Sequence, residues 1–548
     1  MLVPPLDRRR FLKSVGGAAA AMAAAGAAPG VLLVKLGRRP EPVPPIQDSR
    51  LKDLADRALE AARSAGAAYA DTRLTHTRMR RVFPGEMGES EDMEVGVRAL
   101  VSGYWGFASG PVWSAEEMGR LGIEAVNQAR GNALDGKRVV DLAPVRKVPS
   151  GHWTMPIARD GFDVSPFEIQ DFLHSMEIVT VELPGGGMGS ENWVTFQAQA
   201  KLLATSEGSY CTQQLYSTAG VFQFTMQVPH HGKKSRWLIC LSPAGLGWEL
   251  YTAPSIPQVR ERTIYEEIQR KQEQIRADLM LPVKPEKIGR YDTVFDAVSI
   301  QNIAARTLGQ ATELDRAMGY DANEGGTSYL SDPLRMLGSY QAGAESLTLT
   351  ANRSVPGGAA TVEWDDEGVV PDECTLVKAG VLHDFQTTRE SAGWLKNVYA
   401  AADRRFRSHG CAAAPSAMEP PIEHTPNLAV APATGSDGYD ELLAGVTDGL
   451  AIEEASADMD FQDSTGMGQG RVYEVKHGRK TARIAQAAFL FRSTEFWKAL
   501  EALGGEASVR RYGRSEAKGA PPQRCFYSVS APPARVKQIS LINPLRKA

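Results

Sequence analysis

The chain has 548 residues, with 61 Lys and Arg against 65 Asp and Glu, and 43% hydrophobic residues. That composition belongs to an ordinary folding protein of several domains and excludes a disordered or collagen-like chain. The formal charge of −4 lacks the basic excess of a dedicated nucleic-acid binder, and the 5 scattered cysteines write neither a disulfide framework nor a CxxC knuckle.

Asp7, Arg8, Arg9, Arg10, Phe11, Leu12 and Lys13 precede an alanine-rich, weakly apolar run from Val15 to Val34. This is the layout of a twin-arginine export signal, which implies a periplasmic or cell-envelope location. Glycines and Pro29 interrupt the run, so no stable membrane span is expected. Ala25-Gly26-Ala27 offers a cleavage site, and Arg38 to Pro45 reads as a stiff tether.

Leu51, Leu54, Ala55, Ala58, Leu59 and Ala62 recur at helical spacing and stop at Gly66. Tyr69–Arg80 and Glu94–Leu100 alternate as strands, and Ser102-Gly103 turns into Tyr104–Phe107. Ser114 with Glu117 marks a capping box opening a helix to Ala129. Beyond it, Pro166–Met176 reads as a helix and Ile178–Leu183 as a strand. Leu183 to Gly189 is glycine-rich but lacks the lysine and hydroxyl residue of a phosphate loop, so a hairpin loop is favoured. Val259–Leu279 reads as a solvated amphipathic helix, with Pro282 and Pro285 marking a boundary. The remainder is strand-rich (Thr361–Trp364, Cys374–Val377, Val381–Thr387, Arg471–Lys476), with helices near Val298–Met318 and Thr494–Leu503. The expected fold class is α+β. Its divisions are residues 1–47 (signal and tether), 48–135 (α/β), 136–288 (middle) and 289–548 (β-rich with packed helices).

Glu313 to Asn323, followed by Gly326, Thr327 and Ser328, is similar to the central motif of the TldD/PmbA family, metallopeptidases once called modulators of DNA gyrase. Leu376-Val377, Gly380–Leu382 and Gln386–Glu390 resemble a second block of that family. Pro426–Leu428, Glu441–Leu443 and Phe496-Trp497 recur in its order. Gly96–Arg98 and Trp105–Ser109 resemble its early strands, so the likeness runs from about Leu51 to Asn543.

The resemblance implies a zinc site built on HExxxH, with the glutamate as general base and a distant cysteine as a further ligand. On an ideal helix, ligands five residues apart lie about 140° apart, so their convergence needs a local bulge or a helix end. Gly309 inside the motif eases that, but the chain reads Ala305, Arg306 and Gln310 at the histidine, glutamate and histidine positions. Ala305 has no donor, Gln310 offers only an amide, and Arg306 places a permanent cation where a base should stand. At the distal position the family's cysteine-bearing turn aligns with Ser515–Gly519, around Glu516, again without cysteine, and Cys525 lies too far along.

No catalytic residue and no cofactor are therefore expected of this chain, zinc belonging to the active members of the family. The expected binding positions are Arg306, Glu313, Asp315, Gly326, Thr327 and Ser328, with Arg306 facing either a carboxylate such as Glu313 or Glu516 or the solvent. Glu313 and Asp315, two apart on a helix, would face different ways. His409, Cys411 and His424, and the pair His230-His231 near Cys211 and Cys240, have ligand chemistry, but packed or solvated roles are favoured.

Family members of this kind form two-subunit assemblies in which one partner lacks the zinc motif. The resemblance therefore implies an exported, non-catalytic subunit that pairs with a zinc-bearing paralogue, or with itself, and holds unfolded peptide, without nucleic acid. The alternatives are an active peptidase with a displaced metal and a stand-alone peptide-binding protein of the envelope.

Overall fold

A computed structural model describes residues 44–135, 139–145, 148–181, 186–188, 192–227, 234–323, 325–402, 404–435 and 437–545. The twin-arginine segment, Leu183–Gly185 and His230-His231 lie outside the described residues.

The first half is one sheet with helices packed on it. Helix α1 (Ser49–Ser64) buries Leu51, Ala55, Ala58, Leu59 and Ala62, the spacing read from the sequence. It packs with α2 (Ala115–Asn132) on β1 (Tyr69–Phe83), β2 (Glu86–Val101) and β3 (Tyr104–Gly110), where Leu74, Val95, Val97, Leu121 and Val126 close the core. Ser102 at φ 52° and Gly103 at φ 83° make the predicted β2–β3 turn. Ser114 caps α2 by accepting from the Glu117 N–H at 3.2 Å. The reciprocal half of the capping box is absent, because Glu117 pairs with Arg120 at 2.7 Å.

The sheet continues into the middle stretch through β4 (Ser150–Thr154), β5 (Gly186–Met188), β6 (Trp193–Thr205), β7 (Tyr210–Gln227) and β8 (Lys234–Ala244). Its order is β3-β2-β1-β6-β7-β4, with β5 and β8 also on β7. The expected division between 48–135 and 136–288 therefore needs correcting. Strand β1 pairs with β6 from Asp71↔Thr205 to Val82↔Val194, and a boundary cannot fall inside a continuous hydrogen-bonded ladder. Helix α3 (Pro166–Val181) runs through the start of the expected strand Ile178–Leu183, and α4 (Ile264–Met280) opens on a complete capping box at Thr263 and Glu266.

The second half adds, in chain order, β9 (Gly289–Phe295), α5 (Ala297–Ala304), α6 (Leu314–Ala317), β10 (Leu349–Asn352), β11 (Cys374–Lys378), β12 (Val381–Leu382), β13 (Asn427–Val430), β14 (Asp448–Glu453), β15 (Arg471–Lys476), β16 (Arg510–Lys518), β17 (Gln523–Ala531) and β18 (Ala534–Ile542). One sheet has β18-β9-β14-β15 at its centre, and a six-stranded sheet has the order β12-β11-β10-β13-β17-β16. Helix α5 packs against strands of both, and Phe295, Ile300, Ile303, Leu308, Leu349, Leu428, Trp497 and Val529 form their shared core. The whole is α+β, as expected.

Three local expectations change. Thr361–Trp364 is irregular, and Val381–Thr387 is a strand only at Val381–Leu382. Thr494–Leu503 divides into a short helix, Ser493–Phe496, and a strand, Leu500–Leu503, which pairs with β18 and gains ladder bonds that a longer helix would forgo.

The two halves are joined by buried charges. Arg98 lies 3.2 Å from Glu367 and Lys201 lies 2.8 Å from Asp366, so the second half meets the first through paired ions.

Candidate functional site

Helix α5 starts at Asp296, whose Oδ1 accepts from the Ser299 N–H at 2.9 Å. It does not end as an ordinary helix. Ala305–Gly309 forms a π-helical turn in which the Gln310 N–H bonds to the Ala305 carbonyl, and Gln310–Thr312 then tightens into a 3₁₀ turn. A π turn brings residues five apart above one another. The convergence that an HExxxH pattern requires is thus present at positions 305 and 310.

The widened turn is held by partners for its carbonyls. Thr307 O accepts from the Tyr329 hydroxyl at 3.0 Å, Leu308 O from Thr312 Oγ1 at 2.7 Å, and Gly309 O from Gln386 Nε2 at 2.5 Å. Trp497 Nε1 donates to Thr307 Oγ1 at 2.8 Å. A Cβ at Gly309 would stand 2.6 Å from Leu428 Cδ1, so any larger residue there would force Leu428 to shift in the core.

Zinc does not fit this turn. Ala305 and Gln310 are buried, one without a donor atom and the other with only an amide. Arg306 is half-buried and, among the described residues, makes no hydrogen bond and no ion pair within 4.0 Å. Its charge nevertheless acts on Glu516, Asp463 and Tyr527, although it pairs with neither Glu313 nor Glu516. A guanidinium there opposes a dication and cannot accept a proton from water.

Glu516 stands on β16, so the segment aligned with the family's cysteine-bearing turn is a strand, and the chain turns only at Gly519, φ 83°. Both Glu516 carboxylate oxygens are buried without a hydrogen-bond partner. Burial, reinforced by the Glu313 charge and opposed by Arg316, Lys518 and Arg306, pushes its carboxyl up to about 8. Cys525 stands directly opposite Glu516 in the ladder between β16 and β17, and burial pushes its thiol up to about 12.

This gives a pH-dependent prediction. A carboxyl raised in the folded state contributes stability that is complete below its unfolded value, near 4.5, and is lost as pH rises through about 8. Glu516→Gln, neutral at every pH, should match the wild type at about pH 4 and exceed it by about 1–3 kcal/mol at about pH 9. Thermal denaturation at the two values checks this, and parallel curves across the range would refute it.

Glu313 and Asp315 do not face apart, because Glu313 is extended, at φ −67° and ψ 119°, and only Asp315 lies in α6. Both carboxylates meet Lys518 Nζ, at 2.9 Å and 2.7 Å. Glu313 also accepts from Thr425 Oγ1 at 2.7 Å and lies 3.4 Å from Arg316. Burial pushes Glu313 up, but Lys518 and Arg316 outweigh it and hold the carboxyl below its ordinary value. Burial and the neighbouring Glu313 charge push Asp315 up, against Lys518. Arg316 reaches Asp321 at 3.0 Å and Asp463 at 3.5 Å. Glu423 accepts from the Leu314 N–H at 2.5 Å and from Ser391 Oγ at 2.6 Å.

The remaining expected binding residues make contacts within the fold. The Thr327 N–H donates to the Phe461 carbonyl at 2.7 Å, and Gly326, at φ 98°, passes so close to it that a Cβ would stand 2.3 Å away. Ser328 Oγ donates to Ala311 O at 2.8 Å. Sequence reasoning missed the Lys518 and Glu423 parts of this network. A lysine on the same strand face as a glutamate in an alternating run was the only available signal.

His409, Cys411 and His424 are not brought together as one ligand set. Burial holds the His424 imidazole down to about 3, and His409 instead faces Cys374 and Asp384.

Residues 288–543 match the family model of the PmbA/TldA metallopeptidase C-terminal domain. The chain is 24% identical over 178 residues to Metalloprotease MJ0996 of Methanocaldococcus jannaschii, covering 32% of this chain and 35% of that protein. It thus spans about a third of the length of that curated relative. A Bacteroides thetaiotaomicron structure described as a modulator of DNA gyrase aligns with TM-score 0.65 and 13% identity, over 91% of this chain and 100% of that one. A Thermotoga maritima structure of the same description gives 0.64 and 15%, over 90% and 100%. TldE from Thermococcus kodakarensis gives 0.63 and 12%, over 89% and 99%.

Proposed function

We propose, the chain being a TldD/PmbA-family protein, that it is a non-catalytic member which pairs with a zinc-bearing paralogue and helps hold unfolded peptide for cleavage. One observation carries this reading: the π turn that would bring two histidines together is present, with its Thr307, Leu308 and Gly309 carbonyls bonded, while Ala305, Arg306 and Gln310 stand where both ligands and the base would be. A scaffold kept after its donors are gone suits a subunit that still shapes a cleft. Extended peptide can be held there by backbone hydrogen bonds to a strand edge.

The purified chain alone should leave unfolded protein substrates uncut, with or without chelator. Expressed in its native host, it should co-purify with a chain that retains HExxxH. Chelator-sensitive cleavage by the lone chain would overturn the reading in favour of a displaced metal, and isolation without any such partner would favour a stand-alone peptide binder.

The export half of the proposal rests on Arg8, Arg9 and the weakly apolar run that follows. No helix of the described residues is long and apolar enough to cross a membrane. Replacing Arg8 and Arg9 together by lysine should leave the protein folded and retained in the cytoplasm, because twin-arginine recognition reads the arginine pair and not the charge. Unchanged export in cell fractionation would remove this part of the proposal.

A further inference from the structure

We infer that Cys374, Asp384 and His409 form a binding site for a zinc-class divalent cation, separate from the degenerate turn at Ala305–Gln310. The three residues come from β11, from the irregular segment after β12, and from the loop before Cys411. One ligand atom from each lies within 4.8 Å of the other two. All are buried, at 4%, 2% and 7% exposure, so this is not a chance meeting of surface side chains.

The donor set is thiolate, carboxylate and imidazole, a combination that suits zinc and that magnesium or calcium would not select. His409 Nε2 stands 3.1 Å from Asp384 Oδ2. Donors around a tetrahedral zinc are separated by about 3.3–3.8 Å, so this pair would spread slightly, with the Cys374 Sγ within 4.8 Å of both. The outer contacts are also those of a metal site. His409 Nδ1 lies 2.9 Å from Asp372 Oδ1, which fixes the ring and leaves Nε2 to face the cation. The Tyr399 hydroxyl donates to Asp384 Oδ1 at 2.6 Å, orienting the second ligand.

Arg404 bonds to the same Asp384 oxygen that faces His409, and Arg407 pairs with Asp372. Arg404, 29% exposed at its side chain and also donating to the His383 carbonyl at 2.7 Å, would have to leave that oxygen for a cation to take it. Coordination would displace the thiol proton and any proton on Nε2, and water would take the fourth position.

Such a site would act as a staple. Asp384 lies two residues before Gln386, whose amide holds the Gly309 carbonyl of the π turn. A cation joining β11 to the 409 loop would fix that segment beneath the turn. It supplies no catalytic base, and the residues around it enclose it.

The test uses the full chain, stripped with chelator and reloaded with cobalt(II) or zinc alone. The wild type should show a thiolate-to-cobalt absorption band and retain about one equivalent of zinc after dialysis. Cys374→Ser should lose the band and weaken zinc retention at least about tenfold, whereas Cys525→Ser should change neither. If Cys374→Ser fails to fold, protection of Cys374 from alkylation by zinc in the wild type, read by mass spectrometry, replaces it. Less than about 0.1 equivalents of zinc and no cobalt band in the wild type would overturn the proposal and leave a metal-free ion-pair network. Binding unaltered by Cys374→Ser, or a thiol that zinc leaves equally reactive, would overturn it as well.

Discussion

Installing Ala305→His, Arg306→Glu, Gln310→His and Glu516→Cys together should add about one equivalent of zinc over the parent chain and confer chelator-sensitive cleavage of unfolded peptide. The expectation follows from geometry that is already in place. The π turn closes through the Gln310 N–H and the Ala305 carbonyl, so two histidines at those positions would sit one above the other. The turn's carbonyls are bonded to Tyr329, Thr312 and Gln386, none of which the substitutions touch. Removing Arg306 takes away the cation that opposes a metal, and the new glutamate supplies the base.

The cysteine belongs at 516 and not at 517, because Glu516 is buried beside the charge of Arg306 while Ala517 is exposed on the other face of β16. The triple variant without Glu516→Cys should bind zinc more weakly, and Ala517→Cys should not compensate. Zinc is counted relative to the parent, so metal held by Cys374, Asp384 and His409 cancels. A folded quadruple variant that gains no zinc would show that the strand carrying Glu516 stands too far from the turn to share a metal with it.

Much of this was legible in the sequence for reasons that are local. The helix of Leu51–Ala62, the Ser114 cap and the Ser102-Gly103 turn depend on spacing and on φ preferences within a few residues, and the structure has them. The degenerate turn was legible too, since the missing donors at 305, 306 and 310 are a matter of residue type, and the need for a bulge follows from helix geometry.

What could not be read depends on distant pairing. The sheet that joins the expected first and middle domains exists because β1 finds β6 more than a hundred residues later. Glu313 and Asp315 looked as if they must diverge, until the extended backbone at Glu313 let both reach a lysine some two hundred residues away. The 515–519 segment resembled a turn by alignment, but 515–518 is a strand by its ladder with β17 and the chain turns only at Gly519. Cys374, Asp384 and His409 were visible only singly, because no short spacing links them.

Lys518 is where the largest loss of stability is expected. Lys518→Met should destabilise the protein by about 3–5 kcal/mol, a large share of the about 5–15 kcal/mol that holds a typical domain together. Its Nζ is buried, and Asp315, Glu313 and Glu423, outweighing the cost of burial, raise its proton affinity. Without it, Glu313 keeps Arg316 at 3.4 Å and Thr425 at 2.7 Å, but Asp315 loses its buried cation. Methionine fills the volume of the lysine stem, so the loss reports the uncompensated carboxylates and not a cavity. Adding Asp315→Asn to Lys518→Met removes one of those charges and should recover about 1–2 kcal/mol. Asp315→Asn alone, by contrast, leaves Lys518 paired with Glu313 and should cost less than the lysine change. Urea unfolding of the wild type, both single variants and the double variant gives the cycle directly. Additive losses would mean that Lys518 and Asp315 are not coupled, and a single-variant loss below about 1 kcal/mol would mean that water reaches the cluster and screens it.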